Sequence, residues 1–510
     1  MRRVSALPNS AGGADRQPVG PLGVVEPARA ALFTLAGLGG IVSTMPPGCT
    51  RFLRCVTCAL VAGVGLLACG GEAVRGPRPL NLIVILVDTL RADHLGYHGY
   101  SQATSPRLDS LAEDSVVFLR HTGQASRTGP SVATLFTGLH ARSHGVVNPL
   151  SHFDAKGTLD ASRLTLAEIL SDEGYRCAGF AANFNVSARF GFSQGFEFYQ
   201  LLRWAKADVL TRTALAWIEE WTAEAEPRPP FFLYLHYVDP HSPYEAPAPL
   251  VKKFASPDYR GRITGSHSQL DEIVAGRLEL DDADLAQLSA LYDAEIRYLD
   301  SQIGVLLIDL EVKGLLDESL IVFVSDHGEE LLDHDSVLHG YTLYEEQLRI
   351  PLMIRHPELP ARRVSRLSRQ VDVLPTLLEL LGLPIPEFLQ GESLAAVMNG
   401  EEGPDAAVER PVFAEASLRA VRTVALDSYS RGDWKLIETR VPEARRQLFN
   451  LRDDPQERHD RLASEPEVAA RMSAELQRFR DALPVGRSEA VPLSDEEIRE
   501  LQSLGYLPKE

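Results

Sequence analysis

Four unbroken apolar runs set the limits on this fold: "LNLIVILVD" at 80–88, "FFLYLHYVD" at 231–239, "SLIVFVSD" at 319–326 and "IPLMIRH" at 350–356. A strand with one wet face alternates apolar and polar residues, whereas a continuous run marks a strand covered on both faces. Helical periodicity fills the intervals. It is clearest over 281–313, where Ile296, Leu299, Ile303, Leu306, Leu307 and Leu310 form one stripe. Strands alternating with helices predict an α/β domain on a large, mainly parallel sheet flanked by helices. The chain has 510 residues, 45% hydrophobic and 24% charged, a globular rather than disordered balance with enough length to bury a substantial core.

Three of the runs end in an acid, Asp88, Asp239 and Asp326. Ligands of open α/β sheets bind outside the carboxyl ends of the strands, so these three are expected to converge. After about residue 400 the pattern shifts to short strands, "DWKLIE" and "QLFNLRDDPQE", and an acidic helix near 465–482. This predicts a catalytic domain over 80–407 and a small C-terminal α+β subdomain over 408–510.

The N-terminal region has a different character. From Met45 the chain reads "MPPGCTRFLRCVTCALVAGVGLLACGG", a basic region followed by a short apolar region and small residues. That order predicts a signal peptide over 45–68, too short to span a bilayer. Cys69 stands where a bacterial lipobox carries its lipidated cysteine, with a plain secretory signal or a short anchor as the alternative. Residues 1–44 read as an upstream extension and 69–79 as a linker. The expected location is the bacterial cell envelope, lipid-anchored to a membrane, periplasmic or at the cell surface. Four of the five cysteines lie in the first seventy residues, so Cys177 has no partner for an internal disulfide in the globular part.

A net charge of -19 argues against general nucleic-acid binding, which needs a basic face. A bound metal can still make one pocket attractive to an anion. Four segments carry suitable groups. "LVDTLRADHLGYHGY" supplies Asp88, "RTGPSVATLFTG" supplies Thr128, "VDPHSPY" supplies Asp239 and His241, and "SDHGEELLDH" supplies Asp326 and His327. Carboxylates and imidazoles suit one divalent ion, Ca, Mg, Mn or Zn. Pro130 marks the first turn of a helix, whose exposed N–H groups would face an anion held at Thr128. As bland alternatives, Thr128 would only cap that helix, Asp239 would cap a loop, and Arg91 and Arg127 would be solvated single arginines.

Taken in order, these segments and the following "HGYTLYEEQLRIPLMIRHP" and "QGESL" resemble the sulfatase branch of the alkaline phosphatase superfamily over about 80–395. The late "WKLIE" and "LFNLRDDPQE" resemble its smaller C-terminal part. The resemblance implies a sulfatase-like sandwich and one divalent metal held by Asp88, Thr128, Asp326 and His327. It also implies a substrate-binding set of Asn183, Asp239, His241 and His339, with Thr128, His241 and His339 catalytic. The implied substrate is an anionic ester, a sulfated or phosphorylated glycan, lipid or small molecule.

Two positions depart from that pattern. Sulfatases carry Cys or Ser where this chain has Thr128, and Arg where it has Val132. Their Cys or Ser is oxidised to formylglycine, whose hydrate expels sulfate by collapsing to the aldehyde. Threonine carries a methyl on Cβ, so the same oxidation would give a ketone. A threonine ester must be released by attack on the transferred group, a route that suits phosphoryl groups. The expected activity is a metal-dependent hydrolase of sulfate or phosphate esters with a covalent Thr128 intermediate. The alternatives are a phosphoethanolamine or phosphoglycerol transferase and a degenerate homologue that binds anions without turnover.

Overall fold

The computed structural model describes residues 79–146, 155–401, 410–419 and 423–503. The expected signal peptide, the upstream extension and Cys69 lie outside the described residues. Eight strands form the main sheet: β1 Asn81–Val87, β2 Val116–Phe118, β3 Arg176–Ala181, β4 Phe198–Leu201, β5 Phe231–Tyr237, β6 Ser319–Ser325, β7 Leu352–Arg355 and β8 Arg362–Val364. Their order is β8-β2-β7-β6-β1-β5-β3-β4. Five pairings are parallel, and β7 runs antiparallel to both neighbours, β6 and β2. The expected mixed, mainly parallel sheet is therefore present.

The unbroken runs have the cause the sequence indicates. Ile83, Ile85 and Val87 of β1 join one apolar core with Leu299, Ile303 and Leu306 of the long helix. Leu82, Val84 and Leu86 join a second core on the other face with Val132, Leu135 and Phe136. Both faces are dry, so no polar alternation is required. The long helix spans Asp282–Val312 and starts on Asp281, whose side chain accepts from the Asp284 N–H.

Register places the site. In β1, Val87 pairs with Tyr237 of β5 and with Ser325 of β6, so three central strands end side by side. Asp88 and Asp326, one residue past β1 and β6, therefore come together. The run predicted to reach Asp239 stops at Tyr237, ahead of Pro240, which has no N–H for the ladder.

A second, four-stranded antiparallel sheet follows: β9 Val412–Arg419, β10 Thr423–Arg431, β11 Trp434–Val441 and β12 Arg445–Asn450. The helix Pro466–Ala482 packs on it through Met472 and Leu476, against Leu436 and Leu448. The described residues from Pro79 onward form one compact unit. Among the described residues, no helix is long and apolar enough to cross a membrane.

Candidate active site

The turn after β1 is unusual. Thr89 has φ +56°, a left-handed conformation that costs a β-branched residue about 1–3 kcal/mol. Three hydrogen bonds hold it. Its N–H donates to Asp326 Oδ1 at 3.1 Å, its carbonyl accepts from the Tyr292 hydroxyl at 2.6 Å, and the Leu90 N–H donates to Ser325 Oγ at 3.0 Å. Tyr292 belongs to the long helix, so that helix fixes where Asp88 stands.

Thr128 opens the helix α1, Thr128–Thr137, which ends at Gly138 in the left-handed region (φ +63°). Arg127 is the residue in the cap position, so the Thr128 hydroxyl is not spent on capping. Its Oγ1 instead lies 3.5 Å from His327 Nε2 and 3.5 Å from Asn183 Nδ2. Ser131, one turn further, donates to the Asp326 carbonyl at 2.7 Å and ties the helix start to the β6 loop.

Asp88, Asp326 and His327 are fully buried. Asp326 Oδ1 accepts from the N–H groups of Thr89 and His327, while Asp326 Oδ2 and Asp88 Oδ1 have no hydrogen-bond partner. His327 Nδ1 donates to the Gly328 carbonyl at 2.9 Å, which leaves Nε2 with its lone pair facing Thr128. That atom is 3.4 Å from Asp326 Oδ2 and 3.9 Å from Asp88 Oδ1. Burial alone would raise Asp88, but His236, His241 and His327 pull it below the usual carboxylate range. Burial and the charge of Asp88 push Asp326 the other way, well above that range. Two carboxylates this close do not both ionise without a cation between them.

His236 completes this cluster and was not singled out in the sequence. It sits in β5 opposite Leu86, fully buried, with Nε2 unpartnered and 3.4 Å from Asp88 Oδ2. One ligand atom each from Asp88, His236 and Asp326 falls within 4.8 Å of the others. Unpartnered buried oxygens and an imidazole nitrogen aimed at one point fit a divalent cation.

The other expected residues divide. Asn183 donates to Asp88 Oδ2 at 2.5 Å. His241 and His339 stack edge to face with ring centres 5.0 Å apart, and His339 lies 4.4 Å from the His327 ring. His241 Nδ1 donates to the Ser242 carbonyl at 2.6 Å, leaving Nε2 as an acceptor. His339 Nδ1 pairs with Glu329 Oε1 at 3.0 Å. Burial pushes Glu329 up to about 7 and lowers His241 and His339. Glu329, which the sequence reading passed over, is thus hydrogen-bonded to His339 beside the cluster.

Asp239 takes another place. Its carboxylate accepts from the Ala207 N–H at 2.8 Å and pairs with Lys206 at 3.1 Å, at the start of the helix Ala207–Thr222. It holds the loop that carries His241 rather than facing Thr128. Arg91 is committed to Asp93 and Asp333. Arg127 reaches the Ser417 carbonyl of β9 at 3.4 Å. Val132 is fully buried in the apolar core, so no side chain there substitutes for a cation. His334 stacks on Tyr344, ring centres 3.6 Å apart, and pairs with Glu346 at 2.6 Å.

Residues 80–383 match the family model described as Sulfatase, and residues 338–482 match N-sulphoglucosamine sulphohydrolase, C-terminal. An ulvan-active sulfatase of Formosa agariphila is 25% identical over 390 residues, covering 69% of this chain and 72% of that protein. The multifunctional alkaline phosphatase superfamily protein PehA of Trinickia caryophylli is 27% identical over 398 residues, 62% of this chain and 76% of its own. The crystal structure of the phosphonate monoester hydrolase of Agrobacterium radiobacter superposes with a TM-score of 0.64 at 22% identity, over 79% of this chain and 95% of that one.

Proposed function

The chain belongs to the sulfatase family, whose model covers its residues 80–383, and from that premise we propose that it hydrolyses an anionic ester through Thr128, with phosphoryl rather than sulfuryl groups preferred. One observation carries the reading: the Thr128 hydroxyl, at the head of α1 and not used as a cap, faces His327 Nε2 and Asn183 Nδ2 at 3.5 Å each.

A divalent cation, when held by Asp88, Asp326, His327 and Thr128 with His236 behind Asp88, supplies Lewis acidity that lowers the proton affinity of the hydroxyl and offsets the charge of the anion. The chain's own groups do the rest. Thr128 Oγ gives up its proton to solvent water and forms a bond to the phosphorus or sulfur as the ester oxygen leaves. His339, hydrogen-bonded to Glu329, gives that oxygen a proton, and the His241 ring packs against His339. Water then attacks the transferred atom and returns a proton to His339, the bond to Thr128 Oγ breaks, and that oxygen takes a proton back from solvent. Asn183 Nδ2 and the open N–H groups of the first turn of α1 are donors for the equatorial oxygens.

The phosphoryl preference follows from side-chain chemistry. Thr128 yields no aldehyde hydrate, so its ester is released only by attack on the central atom. Phosphodiester and phosphonate substrates allow this more readily than sulfate esters. The proposed setting is the bacterial envelope, with lipid on Cys69.

The test is a side-by-side comparison of nitrophenyl sulfate, phosphate and phosphodiester turnover, with Ca, Mg, Mn or Zn, by the wild type and Thr128→Ala. Phosphodiester turnover lost in the variant supports the reading. Sulfate turnover as the main activity overturns the phosphoryl preference. Anion binding without turnover supports a degenerate binder.

A further inference from the structure

Lys156 stands outside the group described above. It belongs to the short strand Ala155–Gly157, which pairs antiparallel with Ala490–Pro492, Lys156 opposite Val491. It is 7% exposed, a rare degree of burial for lysine. Its side-chain nitrogen donates to Asn185 Oδ1. The Asn185 side-chain nitrogen donates to Asn183 Oδ1 at 2.9 Å, and the Asn185 backbone N–H donates to the same oxygen at 2.8 Å. Asn183 Nδ2 in turn faces Asp88 and Thr128 at 2.5 and 3.5 Å.

The chain of bonds has one direction. The Asn185 backbone N–H requires Asn183 Oδ1 as its acceptor, and an ionised carboxylate only accepts. Between these ends each amide has a single consistent orientation, carbonyl toward Lys156 and nitrogen toward Asp88. The backbone N–H of Asn185 already decides which way Asn183 faces. Lys156 fills the far end: burial and the charge of Arg127 push its pKa well below that of a free lysine, and its N–H, bonded to Asn185 Oδ1, polarises both amides in the same sense. Asn183 Nδ2 becomes a stronger donor at the point where negative charge develops.

We propose that Lys156 is a positioning residue of this active site, acting on Thr128 and the transferred anion through Asn185 and Asn183. The proposal rests on the reading of Thr128 as nucleophile. It places this remote donor on the short strand Ala155–Gly157, which follows α1 in the chain. The Lys156 link also ties the active site to the segment Ala490–Pro492 near the end of the chain.

The experiment is a double-mutant cycle on the full chain. Lys156→Met, Lys156→Arg, Asn183→Ala and the Lys156→Met/Asn183→Ala pair are compared in phosphodiester turnover, in calorimetric affinity for inorganic vanadate and in melting temperature. Lys156→Met is expected to lower kcat by about 10- to 100-fold, the range for groups that orient a reacting shell. KM and melting temperature are expected to change little, and Lys156→Arg to recover most of the rate. In the double variant the loss should be no greater than in Asn183→Ala alone, in kcat and in vanadate affinity. Wild-type kcat and vanadate affinity in Lys156→Met, or penalties that multiply in the double variant, would overturn the relay. If Lys156→Met does not fold, Asn185→Ala breaks the chain one link later and is expected to give the same loss. If Thr128→Ala keeps the wild-type rate, the nucleophile reading fails, while the vanadate cycle still decides the relay.

Discussion

Asn183 Nδ2 and Asp88 Oδ2 are 2.5 Å apart, joining the end of β1 to the turn that follows β3. The same nitrogen reaches toward Thr128 Oγ1, so one amide orients both a buried carboxylate and the proposed nucleophile. Asn183→Ala is expected to lower kcat/KM by about 10- to 100-fold. Asn183→Asp is expected to be worse, because a second carboxylate would then face Asp88. Steady-state kinetics with a melting-temperature control measures both, and equal activity of the wild type and Asn183→Asp would contradict this role.

Removing divalent ions is expected to abolish turnover and lower the melting temperature, since Asp88 and Asp326 are buried and close together. Readdition of a suitable ion should restore both. His236→Ala should weaken affinity for that ion by about 10- to 100-fold in a calorimetric titration. An unchanged affinity would remove His236 from the site.

Three buried histidines predict how stability depends on pH. Burial lowers His121, His140 and His144 to about 3 each, from an ordinary 6.5. The hydrogen bonds agree for two of them. His144 Nδ1 accepts from the Val146 N–H, and His140 Nδ1 accepts from the Gln124 amide, whose oxygen takes the Val371 N–H. A depressed folded-state pKa means that the unfolded chain binds the extra protons. The contribution is fully present above about pH 6.5 and is lost as pH falls toward 3. Each group removes at most about 1.4 kcal/mol per pH unit in that window. Melting temperature should therefore fall from pH 7.5 to pH 4, and His140→Gln should make the slope shallower.

Gly328 lies between His327 and Glu329. A Cβ there would come within 2.0 Å of the Glu346 carbonyl oxygen, a backbone atom that cannot step aside. The Gly328 N–H also donates to the Gln347 carbonyl at 2.8 Å. Gly328→Ala should destabilise the fold by roughly 1–3 kcal/mol and displace His327 and Glu329 together. Denaturant unfolding and kcat should both report the loss.

Much of the sheet was readable because a strand buried on both faces leaves an unmistakable run. The direction of β7 was not, since periodicity carries no polarity. Asp88 and Asp326 were legible as strand-terminal acids brought together by register. Asp239 shares that signature, but β5 stops two residues earlier and the Asp-Pro turn aims the carboxylate at the Ala207 N–H. His236 was hidden for the opposite reason, since a single polar residue inside "FFLYLHYVD" reads as part of the apolar run. Glu329, Asn185 and Lys156 carry no periodic signature: turns and loops bring them to His339, Asn183 and Asn185, and no helix or strand pattern encodes that.

The most direct measurement is on Thr128 itself. The wild type is mixed with a nitrophenyl phosphodiester in excess of enzyme, quenched in acid during turnover, digested and analysed by mass spectrometry for the peptide containing Thr128. A threonine nucleophile predicts a phosphoryl ester on Thr128 that forms no more slowly than turnover and is absent from Thr128→Ala. Full turnover with Thr128 unmodified throughout, or undiminished turnover by Thr128→Ala, would contradict it.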